Sequence, residues 1–275
     1  MDMIELLSLE FIQRAILASV LGGIACGIVG VWVIQLNIPF VGVAISHSAF
    51  AGAVLGLLFN INPLFLSLVF CCISSLIIGP IADKSGSSPN ISIGIIFSMV
   101  MGIAFLGMGL LKGPKSEALN FMWGNILMLS SNEIKLLIIT VIVIFLFLFI
   151  FYKEILAVLF NREIARAVGI PEKVILYGLL FICGLTVTVN LSTIGGLLIF
   201  SLITQSPLSA YQMTYKLRNM YILSSIFGVI SCLLGLFFSY ILNVPSGAII
   251  VIVSSIIFII CMIFSPKRRV IDAKS

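Results

Sequence analysis

The chain has 275 residues, 61% of them hydrophobic and only 9% charged, with a mean hydropathy of +1.30. A soluble domain carries about a quarter charged residues, so this composition cannot clothe a water-facing surface and a single soluble core is excluded. The formal charge of +5 comes from Lys and Arg scattered through short polar segments rather than gathered in a stripe, which excludes nucleic acid as a partner.

Taken from the N-terminus, Met1-Asp2-Met3-Ile4-Glu5 is acidic where a secretion signal would be basic, so no cleaved leader is expected. A membrane-crossing helix needs about 20 largely apolar residues. Candidate spans on that ruler are 14–35, 38–60, 62–82, 91–111, 136–152, 174–190, 193–208, 220–242 and 246–265. Turn signals separate them: Asn37-Ile38-Pro39, Asn60-Ile61-Asn62-Pro63, Lys84 to Pro89, and Asn243-Val244-Pro245. Gly23 and Gly27, and again Gly52 and Gly56, carry the four-residue glycine spacing that lets helices approach closely in lipid. The expected fold is therefore all-α, a polytopic membrane protein with about nine transmembrane helices in one domain over 1–275.

Two stretches need separate treatment. As one helix, 174–208 would be about 50 Å long against a hydrocarbon core of about 30 Å, so a turn between Asn190 and Gly196 is expected to split it. The stretch 113–135, with Pro114 and Trp123-Gly124-Asn125, is too polar to span and is expected to form an outer-face loop with a short helix, Trp123 anchoring at the interface. Nine spans with the N-terminus outside put Lys84, Lys153, Arg162, Arg166, Lys173, Lys216, Arg218, Lys267, Arg268, Arg269 and Lys274 on the cytoplasmic side. Arg14, Lys112, Lys115 and Lys135 remain outside or at the outer boundary. That asymmetry follows the positive-inside rule, with the C-terminus cytoplasmic.

The six cysteines, Cys26, Cys71, Cys72, Cys183, Cys232 and Cys261, all lie in apolar stretches without metal-ligand spacing and read as small buried hydrophobes. Met99, Met101 and Met108 are irregularly spaced and read as packing. No Gly-x-x-x-x-Gly-Lys-Ser/Thr loop occurs, so the chain has no nucleotide-binding loop of its own, and no catalytic set lies in a water-exposed domain; an enzyme is not expected.

Two features carry chemistry. Within the polar segment 153–173, Leu159 to Pro171 reads as a short amphipathic helix: Asn161 caps it, Gly169 stops it and Pro171 prevents its continuation. Leu159 or Phe160, Ile164 and Val168 share one face, with Arg162, Glu163 and Arg166 on the others, which suits either a solvated loop helix or a docking helix for a cytoplasmic partner. His47, the one histidine, lies mid-span between Ser46 and Ser48. An ionisable group at that depth faces the bundle interior or a wet path, so it is either a hydrogen-bonded packing residue or a metal ligand.

Four segments together resemble the permease subunits of bacterial and archaeal ATP-binding-cassette importers for zinc, manganese and iron. They are Phe11 to Ala15 with Gly22 to Gly30; Phe40 to Ser48 with Gly52 to Gly56; Leu159 to Pro171; and Gly195 to Pro207 with Val244 to Val251. Their order covers nearly the whole chain. The resemblance implies an importer-permease bundle in the prokaryotic cytoplasmic membrane, working as a homodimer with the path on its axis. Separate ATPase subunits would use the ATP, and an extracellular or periplasmic metal-binding protein would deliver the cargo. It implies that Phe160, Asn161, Arg162, Glu163, Ile164, Ala165, Arg166 and Gly169 form the ATPase coupling segment. The metal path would run past His47, with Ser46 or Ser48 as weak partners.

Here the sequence departs from the family pattern. Members commonly carry Asp four residues before the histidine, and this chain has Val43 there. Losing that carboxylate removes the hard oxygen ligand that suits manganese, so zinc, or a chelated metal, is expected over bare manganese, with iron also within the family's range. A permease for a siderophore or corrinoid chelate, and a stand-alone secondary transporter, are the competing readings. The scarcity of charge within the spans speaks against the second.

Overall fold

The computed structural model describes residues 9–85, 88–111 and 129–267. Most of the expected outer-face loop, including Trp123, lies outside them. Among the described residues there are eleven helices and no strand. In chain order they are α1 (Glu10–Gln35), α2 (Val41–Phe59), α3 (Pro63–Ser85), α4 (Pro89–Leu110), α5 (Ser131–Ile150), α6 (Tyr152–Phe160), α7 (Arg162–Ala167), α8 (Glu172–Ile194), α9 (Gly196–Met213), α10 (Leu217–Leu242) and α11 (Ser246–Ile263).

The turn residues end the helices as their chemistry requires. Asn37, Asn60 and Asn243 all adopt positive φ, at 56°, 56° and 52°, a region asparagine tolerates because its short amide bonds locally. Pro63 and Pro89 then open the next helices, where a missing N–H costs nothing. Before α5, Ser130 and Glu133 form a reciprocal capping box, starting that helix five residues ahead of the expected span.

Eight of these helices are long and apolar enough to cross a membrane. α1, α2 and α8 bury 72% of their most apolar stretch inside the bundle, against 22–33% for α3, α4, α5, α10 and α11, so the first three form the hub and the others present apolar sides to lipid. The expected ninth span, α9, falls short in apolarity because Thr204, Gln205, Ser206, Pro207 and Ser209 interrupt it. Several of its polar groups are paired, Ser206 excepted: Gln205 Nε2 donates to Ser255 Oγ at 3.0 Å, Ser201 meets Ser254 at 3.1 Å, and Ser265 Oγ donates to Gln212 O at 3.0 Å. That register makes α9 and α11 parallel neighbours.

The long run 174–208 is divided at Gly195 alone, where φ is +96°. Asn190, expected at the turn, lies inside α8 and is buried, its Nδ2 donating to Thr186 O at 2.8 Å.

Both glycine pairs are used. A Cβ at Gly23 would stand 2.6 Å from the backbone N of Val229, and one at Gly52 would stand 2.5 Å from the carbonyl O of Leu66. α1 and α10 thus touch backbone to backbone, with Ser224 Oγ donating to Gly27 O at 2.7 Å. Gly23→Val is expected to destabilise by about 1–3 kcal/mol, since the added atoms meet backbone that cannot rotate away. Thermal unfolding in detergent checks it, with Gly102→Val, where a Cβ meets nothing within 4 Å, as the comparison. Equal midpoints for the two variants would refute the close-contact account.

Long-range bonds show which helix ends meet. Arg162 reaches Asp83 of α3, Asn90 Nδ2 donates to Asn37 O after α1, and Trp32 Nε1 donates to the Tyr221 hydroxyl at 2.9 Å. These ties gather the ends of α1, α3, α9 and α11 and the starts of α4, α8 and α10 at the end of the bundle that carries α6 and α7. Lys84, Lys153, Arg162, Arg166, Lys173, Lys216, Arg218 and Lys267 all lie there, whereas Arg14 and Lys135 mark the opposite end.

Candidate functional site

The segment joining α5 to α8 forms two short helices rather than one helix from Leu159 to Pro171. Asn161 breaks the chain in extended geometry (φ −162°, ψ 117°), and its Oδ1 accepts from the backbone N–H groups of Glu163 at 2.8 Å and Ile164 at 3.1 Å. The cap restarts the chain as α7 in a new direction. Leu159 stays on the earlier helix and packs against the core. Gly169, at φ +83°, closes the far end.

Phe160, Ile164 and Val168 stand out from the bundle at 82%, 53% and 68% exposure. Phe160 at the end of α6, Ile164 on α7 and Val168 just past it form an apolar stripe at the charged end that the segment does not bury on its own chain. Glu163 and Arg166 are exposed beside it. Ala165 is 1% exposed and packs inward, so of the expected coupling residues it belongs to the root of the segment and not to its outer surface. Arg162 is half-buried and also turns inward.

Four residues that the sequence did not single out hold that root. Asp83 Oδ1 accepts from Arg162 Nη2 at 3.2 Å, and Asp83 Oδ2 accepts from the Tyr177 hydroxyl at 3.1 Å, with Lys173 Nζ at 4.0 Å. Glu172, buried at the start of α8, accepts from Arg166 Nε at 2.9 Å and also from Arg166 Nη2. The hydrogen bond and charge of Glu172 raise the Arg166 guanidinium above its ordinary pKa, keeping it cationic.

The second candidate lies on α2. Val43 and His47 are half-buried and share a face, while Ser46 and Ser48 are buried on the other flank. Ser46 Oγ donates to Gly42 O at 2.7 Å and Ser48 Oγ to Ala44 O at 2.8 Å. Both serines are buried and lie about 100° around the helix from His47, off the face that it presents. His47 Nδ1 lies 2.8 Å from Val43 O. A carbonyl only accepts, so this bond places the ring proton on Nδ1 and leaves the lone pair on Nε2. The ring meets Phe97 of α4 edge-on at 5.1 Å, and Phe40, just before α2, stacks on Phe200 of α9 at 6.3 Å. The open face of α2 therefore runs between α4 and α9. No group of three or more His, Cys, Asp or Glu suited to hold a metal occurs among the described residues.

Residues 8–265 match the ABC 3 transport family. The chain belongs to the ABC 3 transport family. Among its relatives, the manganese transport system membrane protein MntC of Listeria monocytogenes is 32% identical over 269 residues, covering 98% of this chain and 96% of that protein. The manganese import system permease protein ScaB of Streptococcus parasanguinis is 28% identical over 260 residues, covering 94% and 92%. Among solved structures, PsaBC from Streptococcus pneumoniae in complex with Fab aligns with a TM-score of 0.87 at 28% identity, covering 99% of this chain and 98% of that one. This ABC 3 family member is a polytopic membrane permease of an ATP-binding-cassette importer, a transport component and not the ATPase.

Proposed function

We propose that two copies of this chain form the path by which an ATP-driven importer takes a divalent transition metal ion into the cell, with manganese as the first cargo to test. Separate ATPase subunits grip Phe160, Ile164 and Val168 from the cytosol, and an extracellular metal-binding protein delivers the ion at the other face. The observation that carries this reading is the exposed apolar stripe on a capped helix at the end holding eight Lys and Arg side chains. Positive loops face the cytosol, and an apolar stripe rimmed by charge fits a protein groove.

Energy from outside the chain is in keeping with the spans. Their Asp, Glu, Lys and Arg all lie in the end turns, and His47 is the one imidazole at membrane depth. A secondary transporter would carry coupling charges there. With one ligand nitrogen per chain, His47 makes a path by meeting its counterpart from a second copy across the open face of α2. Two relatives named for manganese support that cargo. The second reading is zinc, favoured by Val43: an imidazole without a carboxylate suits zinc better than manganese.

The test is ATP-dependent uptake by the complex reconstituted with its ATPase and delivery protein, comparing manganese, zinc, iron and cobalt. Manganese is expected to give the largest ATP-dependent signal. Dominant zinc uptake would transfer the conclusion to the second reading, and no ATP-dependent uptake of any of the four would end both.

A further inference from the structure

α7 has little hold on the bundle through apolar packing. Of its six residues only Ala165 is buried, and its one large apolar side chain, Ile164, is 53% exposed. What fastens it is charge: Arg162 to Asp83 on the last turn of α3, and Arg166 to Glu172 on the first turn of α8, with Arg162 Nη2 also 4.0 Å from Glu172. Those two helix ends are themselves joined. The Tyr177 hydroxyl donates to Asp83, and the Tyr177 ring lies so close to α3 that a Cβ at Gly79 would stand 2.2 Å from ring carbon Cε1. α3, α7 and α8 therefore meet at one cluster of two carboxylates, two guanidiniums, the Lys173 ammonium and a phenol.

The cluster has room to rearrange. A cavity of about 50 Å³ adjoins Arg162, walled by Leu36, Ile78, Gly79, Ala82 and Leu176. Arg162 Nε is buried without a hydrogen-bond partner, so its guanidinium reaches Asp83 through one N–H and not through a locked fork. Beyond the cluster, α3 lies backbone to backbone on α2 at Gly52, and α8 packs on the same helix, the one that carries Val43 and His47.

We propose that Asp83 and Glu172 are positioning residues of transport: they tie α7 to the ends of α3 and α8, so that a push on α7 moves those helices instead of sliding across them. This rests on the reading that a separate ATPase grips the Phe160–Val168 stripe. Neither carboxylate touches the cargo or the gripped surface; both act through the arginines.

The test uses the full complex in proteoliposomes with manganese, measuring retained ATPase, ATP hydrolysis and metal taken up per ATP. Asp83→Asn and Glu172→Gln are expected to retain the ATPase and to hydrolyse ATP within about twofold of wild type, while uptake per ATP falls about tenfold. Tyr177→Phe removes one donor to Asp83 without altering charge, and serves where a carboxylate variant fails to accumulate; a drop in uptake per ATP of about threefold is expected. Unchanged uptake per ATP in these variants would overturn the proposal. So would loss of ATPase retention in step with uptake, because the cluster would then shape the grip and not transmit its motion. A wild-type complex that retains no ATPase would instead overturn the underlying reading, and this one with it.

Discussion

Phe160→Asp combined with Ile164→Asp is expected to release the ATPase from the permease and to reduce ATP-dependent metal uptake to background, while the permease itself melts as before. The magnitude follows from burial. Covering a Phe or Ile side chain contributes about 1.5–3 kcal/mol each, and forcing a carboxylate into the same desolvated groove adds a further cost. Losing even about 3 kcal/mol weakens binding more than a hundredfold. Both side chains are more exposed than buried, at 82% and 53%, so their replacement removes little packing from the bundle, and the Asn161 cap and Gly169 stop are untouched. Co-purification of the ATPase with the variant at wild-type yield would show that the stripe is not the grip.

Asn161→Ala separates shape from surface at the same place. It leaves the stripe intact and removes the oxygen that accepts from Glu163 and Ile164, a loss of about 1 kcal/mol for a helix of six residues. ATPase affinity is expected to fall by several-fold rather than a hundredfold, measured on the detergent-solubilised pair. A hundredfold loss here would mean that the cap itself lies in the interface.

Much of this architecture was legible because membrane helices announce themselves by length and by the residues between them. Asn37, Asn60 and Asn243 were readable as stops, and all three take the left-handed backbone. Gly23, Gly27 and Gly52 were readable as contact points because lipid offers few other ways for backbones to meet. Asn161 was readable as a cap for the same local reason. What escaped the sequence was set by distant partners. Asp83 precedes Arg162 by 79 residues, and nothing near Asp83 hints that it anchors another loop. Ser46 and Ser48 flank His47 in sequence, yet a helix advances 100° per residue, so neighbours point apart and only Val43, one turn back, shares the histidine's face. The break between α6 and α7 was hidden for a different reason: the apolar pattern continues across Asn161, and the direction of the chain does not.

Position 43 and the histidine one turn beyond it give the second large effect. With the ATPase bound and hydrolysing, His47→Ala is expected to cut manganese uptake by about ten- to a hundredfold, the scale on which a metal site fails when a coordinating or orienting group is lost. The ring's own geometry supplies the reason: Nδ1 donates to Val43 O at 2.8 Å, which leaves Nε2 as the ring nitrogen that can ligate a metal on the half-open face of α2. Val43→Asp places a carboxylate on that face, four residues before the imidazole, where the resembling permeases commonly have one. It adds a hard oxygen ligand and a negative charge per chain, so manganese should gain over zinc by about tenfold in competition uptake. Val43 is half-buried rather than enclosed, so the substitution does not force the carboxylate into the closed core. The two substitutions therefore interrogate one surface with opposite signs, and they do so without touching the charged cluster or the stripe. If His47→Ala carries manganese at the wild-type rate, the imidazole does no more than pack against Phe97, and the path of the ion lies along another face of the bundle.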